Sequence, residues 1–571
     1  MNTEYIGIIF TYGLTFVLAI LLGKYIAKVY SGEKTFTDFM RPLERLIYKI
    51  SGINPDREMN WKQHMVALLS INLVWFVYAF VMFLLQGHLP LNPDHNPSMT
   101  PDLSYNTAIS FIVNCNLQDY SGETGVTYLT QLFVLTFLHF VSAATGIAAL
   151  AILFRALKDK TTDKLGNFFH YLTITCTRIL LPLAIIVATV LVFHGTPASY
   201  EGHATVITMQ GDTQQVSRGP AAAMIAIKHL GTNGGGWFNA NSAHPLENPD
   251  YLTNMLELLA QVLLPIALVF ALGFYLKRRK LSWVIYAVMT AGMLLFMIPT
   301  IYCEIHGNPA IAHMGVQQPF GNMEGKEMRF GSVASAYWSA VTTIISTGSV
   351  NSMHDSYMPL SGAMQMLAMM TNAFYGGCGV GILNYFIFLI IAVFISGLMV
   401  GRTPEFLGRK IEAREMKIAT IIALLHPFII LVNTALASYI LVHYPNAGWD
   451  MKPSAWLNNP GFHGFSEMLY QNTSAAANNG SAFAGLTGNN NFWNISTGFV
   501  LILGRYLPII GPIAIAGLLA QKKFIPPSSG TLKSDTFTFG VMTFGVIMII
   551  AALAFFPSLV LGPIAEHYTG F

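Results

Sequence analysis

The sequence predicts an all-α integral membrane protein with ten transmembrane helices. They form four pseudo-symmetric span–pore-helix–span repeats, with one extra span at each end. Three observations predict this. Of 571 residues, 53% are hydrophobic and only 10% charged, and the mean hydropathy is +0.51; a soluble domain carries about 25% charged residues, so this chain cannot cover a water-facing surface of the area its length implies. Ten apolar runs each reach the roughly 20 residues that a helix needs to cross a bilayer. Four shorter apolar stretches, each ending in a cluster of small and amide residues, recur at near-regular intervals.

Charge and cysteine exclude other classes. The 31 basic and 28 acidic residues give a net charge of +3, too balanced for a nucleic-acid binder. Cys115, Cys176, Cys303 and Cys378 are scattered without C-x-x-C spacing, so neither a zinc nor an iron–sulfur site is indicated. The first apolar run, Tyr5 to Leu22, follows Glu4 rather than a basic segment and reads as a retained span, not a secretory signal.

The spans fall near 5–25, 65–86, 128–154, 172–194, 254–276, 281–302, 379–400, 416–441, 495–519 and 537–561. Basic residues alternate between the connecting segments. Lys24, Lys28, Lys34, Arg41, Arg45, Lys49, Arg57 and Lys62 follow the first span, and segment 87–127 has no Lys or Arg. Further clusters are Arg155, Lys158, Lys160 and Lys164; Lys277, Arg278, Arg279 and Lys280; Arg402, Arg409, Lys410, Arg414 and Lys417; and Lys522, Lys523 and Lys533. The positive-inside rule places these in the cytoplasm and both termini outside. The chain then divides into an N-terminal span and cytoplasmic loop (1–64), four repeats (65–154, 155–276, 277–415 and 416–521) and a C-terminal span (522–571).

The four clusters are Asn114-Cys115-Asn116, Thr232-Asn233-Gly234, Ser346-Thr347-Gly348 and Asn478-Asn479-Gly480, starting 118, 114 and 132 residues apart. Any one alone would read as an ordinary turn. Each, however, follows a stretch too short to cross (103–113, 220–230, 333–345 and 465–477), which can dip into the membrane and return. Four such dips around one axis make a pore. Inward backbone carbonyls replace the water shell of a monovalent cation, and Gly supplies left-handed angles that aim them. The clusters contain no carboxylate, which favours K+ over Ca2+ or Mg2+. The nearby acids Asp119, Glu123 and Glu247 are expected to raise the local cation concentration over a Debye length of about 8 Å.

Two features below this filter are gate candidates. Between Leu360 and Val400 the apolar chain is too long for one crossing, and Gly376, Gly377, Cys378, Gly379 and Gly381 interrupt it; residues 376–381 are expected to form an intramembrane loop. Arg505 lies mid-way along the ninth span. A central Arg costs roughly 2.5–3.5 kcal/mol on insertion scales, so it faces a partner or a cavity. Pore-facing, it would repel cations and prevent leak; the alternative is a structural ion pair or carbonyl contact. Asp159-Lys160-Thr161-Thr162-Asp163 resembles the phosphorylated motif of P-type pumps but lacks its Gly and reads as a charged loop. The chain has no P-loop.

Several segments carry a family resemblance: Asn114–Thr124 (NCNLQDYSGET), Gly231–Pro249 (GTNGGGWFNANSAHPLENP), Met323–Phe330 (MEGKEMRF), Met353–Ser356 (MHDS), Gly401–Glu405 (GRTPE) and Ala476–Leu486 (AANNGSAFAGL), with Arg57–Gln63 (REMNWKQ) and Leu561–Glu566 (LGPIAE). Together they resemble the potassium-transporting ATPase A chain, KdpA, across essentially the whole sequence. The resemblance implies a fold similar to the Trk/Ktr/HKT cation transporters and a K+-binding, K+-translocating subunit of a bacterial inner-membrane pump. It implies as partners a P-type ATPase subunit (KdpB), which alone would use ATP and Mg2+, a single-span subunit (KdpC) and a small peptide (KdpF). It maps the family's filter onto the four clusters and implies lateral passage of K+ to the ATPase partner, for which 26–63 and 402–417 are natural docking surfaces. Cys115, Thr347 and Asn372 depart from the residues usual in the family. A stand-alone Trk/Ktr-type channel or ion-coupled transporter would share the filter. A membrane oxidoreductase subunit would need axial His pairs, and His170, His194 and His426 form no such pattern.

Overall fold

The computed structural model describes residues 3–159, 161–399, 401, 403–526 and 533–569. Lys160, Val400 and Arg402, part of the segments above, lie outside these. Among the described residues, ten helices are long and apolar enough to cross a membrane: Glu4–Tyr30, Trp61–His88, Tyr128–Lys158, Phe168–Phe193, Tyr251–Tyr275, Arg279–His313, Val380–Met399, Ala413–His443, Asn491–Gln521 and Phe537–Thr569. Each coincides with an expected span.

Local chemistry sets their ends. Asn60 caps the second span by accepting from the Gln63 N–H at 3.0 Å while its own N–H donates to Gln63 Oε1 at 3.0 Å. Asp250 and Thr253 make the same reciprocal pair before the fifth. Such caps satisfy donors that an isolated helix start leaves open.

Burial separates two classes of span. In each repeat the second span is the buried one: 89% of the most apolar window of Tyr128–Lys158 is covered, 83% of Tyr251–Tyr275, 56% of Val380–Met399 and 67% of Asn491–Gln521. The first spans of the repeats reach only 28%, 33%, 44% and 28%, and the two terminal spans 22% and 28%. A helix apolar all round whose outer face is uncovered by protein is suited to lipid. The four covered spans therefore form the inner ring.

Packed between the spans lie four short helices, Pro101–Ile112, Ala221–Leu230, Gly331–Ile345 and Gly461–Ala476. At 1.5 Å per residue they span about 15–24 Å, short of the roughly 30 Å hydrocarbon core. The first, third and fourth start two to four residues earlier than the expected stretches. A fifth half-length helix, Pro359–Thr371, precedes the seventh span. The strands form two small antiparallel hairpins, Ala204–Ile207 with Thr213–Val216 and Glu405–Phe406 with Arg409–Lys410. All four cysteines are free thiols.

Candidate ion filter and gate

Each short helix ends at its small-residue cluster with one recurring backbone event. The first residue of every cluster has positive φ: Asn114 63°, Thr232 50°, Ser346 58° and Asn478 50°. None of these four is glycine; the expected left-handed glycines stand at the third position of two clusters. The polar side chains meet the cost of a left-handed residue with hydrogen bonds to neighbouring loops. The Asn114 amide donates to the carbonyls of Gly231 (3.1 Å) and Thr232 (3.0 Å), and Ser346 Oγ donates to the Ala477 carbonyl at 2.8 Å. The third position is left-handed in three clusters, at Asn116 (59°), Gly348 (85°) and Gly480 (99°).

The clusters converge. A methyl group placed on Gly480 would strike the Cys115 carbonyl oxygen and lie 3.0 Å from Gly234 Cα; one on Gly348 would strike the Asn479 carbonyl and lie 2.8 Å from Gly234 Cα. The third-position glycines are thus required by close backbone approach. The Gly234 and Gly235 N–H groups donate to the Cys115 and Asn116 carbonyls at 3.0 and 2.6 Å, leaving each oxygen a second lone pair. Around this meeting point the side chain of Asn116, Asn233 Oδ1 and Thr347 Oγ1 are buried without a hydrogen-bond partner. Cys115 itself is fully buried.

The glycine run packs directly against this assembly. Helix Pro359–Thr371 ends at left-handed Asn372, and Tyr375, Gly376, Gly377 and Gly379 also have positive φ before Val380–Met399 resumes. The loop between these helices is therefore 372–379. Val380 and Gly381, expected in the loop, belong to the following helix, where Gly381 gives room for the Tyr375 carbonyl. The Cys378 N–H donates to Thr232 Oγ1 at 2.9 Å, and the Gly376 N–H to the Ile344 carbonyl at 3.3 Å. Asn372 Oδ1 is buried without a partner beside a cavity of about 40 Å³ that Asn384, His426 and Pro508 also line, room for about one water.

Arg505 is buried and donates to the Ser142 carbonyl at 3.1 Å. Among the described residues it has no ion-pair partner. Ser142 Oγ in turn donates to Asn114 Oδ1 at 2.9 Å. A methyl group on Gly146 would lie 3.2 Å from the guanidinium and also strike the Cys378 carbonyl. Arg505, the glycine loop and the first cluster therefore meet across one face of the third span, Ser142 to Gly146.

Other acids divide. Asp119 accepts from the Asn106 amide at 2.7 Å, and burial, opposed by this hydrogen bond, raises its carboxyl to about 6. Both Glu123 oxygens accept from the Asn239 N–H, at 3.1 and 3.0 Å. Glu247 is fully buried against the Lys228 ammonium, which also reaches Asn241 and Ser242. It is therefore a structural partner, not the surface attractor expected. Lys228 and the small-residue face Ser142–Gly146 were missed in the sequence; the signal for Lys228 was a cation within the short apolar stretch 220–230. Of the basic segment 402–417, Arg409 is buried on the carbonyls of Leu157 and Asp159, and Lys522 pairs with Glu412 and Glu415.

Comparison with known proteins places the chain in one family. A family model described as "KdpA: Potassium-transporting ATPase A subunit" matches residues 9–568. Proteins named potassium-transporting ATPase potassium-binding subunit are 66% identical in Flavobacterium johnsoniae, covering all of both chains, and 59% identical in Bacteroides thetaiotaomicron, covering 99% of this chain and 100% of the relative. Another in Alicyclobacillus acidocaldarius is 52% identical over 96% of this chain and 95% of its own. The crystal structure of the potassium transporter TrkH from Vibrio parahaemolyticus shares the fold, with TM-score 0.50 and 12% identity, over 90% of this chain and 98% of that one. The chain belongs to the potassium-transporting ATPase A subunit (KdpA) family.

Proposed function

We propose that this chain is the K+-selective binding and translocating subunit of an ATP-driven, high-affinity uptake complex in a bacterial inner membrane, with both termini outside. K+ enters at the four clusters, is stripped of water by their backbone carbonyls, and passes to a P-type ATPase partner that alone hydrolyses ATP with Mg2+. The curated relatives' shared name supports the subunit role. The observation that carries the filter is the left-handed residue repeated at the head of all four clusters, because it turns four helix ends toward one point. The site fits K+ as transported substrate: the cluster residues offer carbonyl and amide oxygens and no carboxylate.

Residues Gly376, Gly377, Cys378 and Gly379 form the floor of this filter in our reading, with Gly381 giving the loop its close seat on the seventh span. Arg505 places a positive charge behind that floor and opposes downhill leak. The cavity at Asn372 continues the path toward the partner, and the single-span subunit and small peptide complete the complex.

The test is the ion dependence of ATP hydrolysis in the reconstituted complex with K+, Rb+ and Na+, for the wild type and Gly234→Asp. K+-stimulated hydrolysis that ignores Na+, with discrimination lost in Gly234→Asp, is expected. Ion flux through the chain alone, with ATP hydrolysis indifferent to K+, would instead identify a stand-alone channel.

A further inference from the structure

Away from the filter, three elements enclose one histidine. His463 Nδ1 lies 2.7 Å from Glu566 Oε1, and Nε2 lies 2.8 Å from Asp355 Oδ1. Asp355 follows the third cluster, His463 starts the fourth short helix, and Glu566 ends the tenth span. Glu467, one turn after His463 on the same helix face, is fully buried. One ligand-type atom from each of Asp355, His463 and Glu467 lies within 4.8 Å of the others. A cleft of about 590 Å³, lined also by Glu324, Asn459 and Glu566, opens onto the group.

The arrangement is that of a metal-binding imidazole. A metal-ligating histidine donates its second ring N–H to a carboxylate, which fixes tautomer and ring plane, and Glu566 stands where that partner belongs. Nε2 then faces Asp355, with an oxygen of Glu467 within 4.8 Å, a carboxylate that also accepts from the Asn458 and Asn459 N–H groups, giving one nitrogen and two carboxylates with the cleft as the open fourth position. The Asn459 amide bridges the two carboxylates, at 3.3 Å from Asp355 Oδ2 and 3.0 Å from Glu467 Oε1, in the place a bound cation would take. Hard cations such as Ca2+ favour all-oxygen shells, whereas imidazole selects transition metals.

We propose that Asp355, His463 and Glu467 form a divalent transition-metal site of the Zn2+ type, with Glu566 holding the imidazole. A metal there replaces the proton between Nε2 and Asp355 and ties the third-cluster segment, the fourth short helix and the tenth span together. The proposal is independent of the direction of K+ transport.

Zn2+ titration of the purified complex by calorimetry, with thermal unfolding in parallel, tests it. One Zn2+ per chain and a raised Tm are expected, with no response to Ca2+. His463→Gln should abolish this binding. Glu566→Gln keeps all three ligands and should weaken binding about 10–100-fold, while exposed His313→Asn should leave it unchanged. Absence of Zn2+ binding in the wild type, equal response to Ca2+, or wild-type affinity in both folded His463→Gln and Glu566→Gln would overturn the site.

Discussion

The backbone N–H of Cys378 donates to Thr232 Oγ1 at 2.9 Å, so the glycine loop is fastened to the left-handed residue that opens the second cluster. Thr232 is β-branched and sits at φ 50°, a conformation such residues rarely adopt. Strain of this kind persists where neighbouring structure over-determines it, and the hydrogen bond from the loop is part of that restraint.

Thr232→Val removes the acceptor while keeping the shape. A hydrogen bond contributes roughly 1 kcal/mol net, so the K+ concentration for half-maximal ATPase activity should rise about fivefold. Thr232→Ser, which keeps the hydroxyl and loses the branch, should remain within about twofold of wild type. K+ titration of the complex measures both.

Gly480→Ala places a methyl group on the Cys115 carbonyl at a residue with φ 99°. The methyl can be seated only by moving the first cluster away from the fourth. K+ stimulation should fall at least tenfold, and Na+ discrimination should weaken. Gly545→Ala, whose added carbon meets nothing within 4 Å, is the matched control and should behave as wild type in the same ATPase assay.

Arg505→Met removes a buried positive charge that, among the described residues, hydrogen-bonds the Ser142 carbonyl and has no ion-pair partner. Passive K+ flux into proteoliposomes without ATP should rise about tenfold or more, equivalent to about 1.4 kcal/mol off the barrier, and Arg505→Lys should restore most of the block. A loss of thermal stability without any change in flux would make the residue purely structural.

Asp119 gives K+ binding a pH dependence. Burial favours its neutral form and holds the carboxyl at about 6, so it is ionised at pH 7 and protonated at pH 5. The half-activating K+ concentration should rise as pH falls through 6, and Asp119→Asn should flatten that profile. Stability runs the other way. The unfolded carboxyl ionises near 3.9, so between about pH 4 and 6 the folded state binds more protons and stability falls as pH rises.

Much of the scaffold was legible in composition and spacing. All ten spans follow from apolar length, because hydrocarbon demands it of any crossing helix. The four clusters were found because a dip-and-return segment must be short and must end in residues that tolerate an exposed backbone. The loop at 376–381 was placed by the same reasoning and came out at 372–379, because periodicity does not show that Gly381 can pack inside a helix against the Tyr375 carbonyl. Glu247 was misread because its partner Lys228, 19 residues earlier, is brought to it only by folding.

The sequence by itself determined that this chain lives in a membrane, crosses it ten times and repeats one unit four times, since these depend on residue type and interval along the chain. Tertiary structure alone decided which spans form the inner ring, that a non-glycine residue makes the first left-handed turn of each cluster, and that Arg505, Ser142 and Asn114 form one chain of contacts across 391 residues of sequence. Those outcomes depend on distances between backbones from different repeats, and linear order carries no record of such distances.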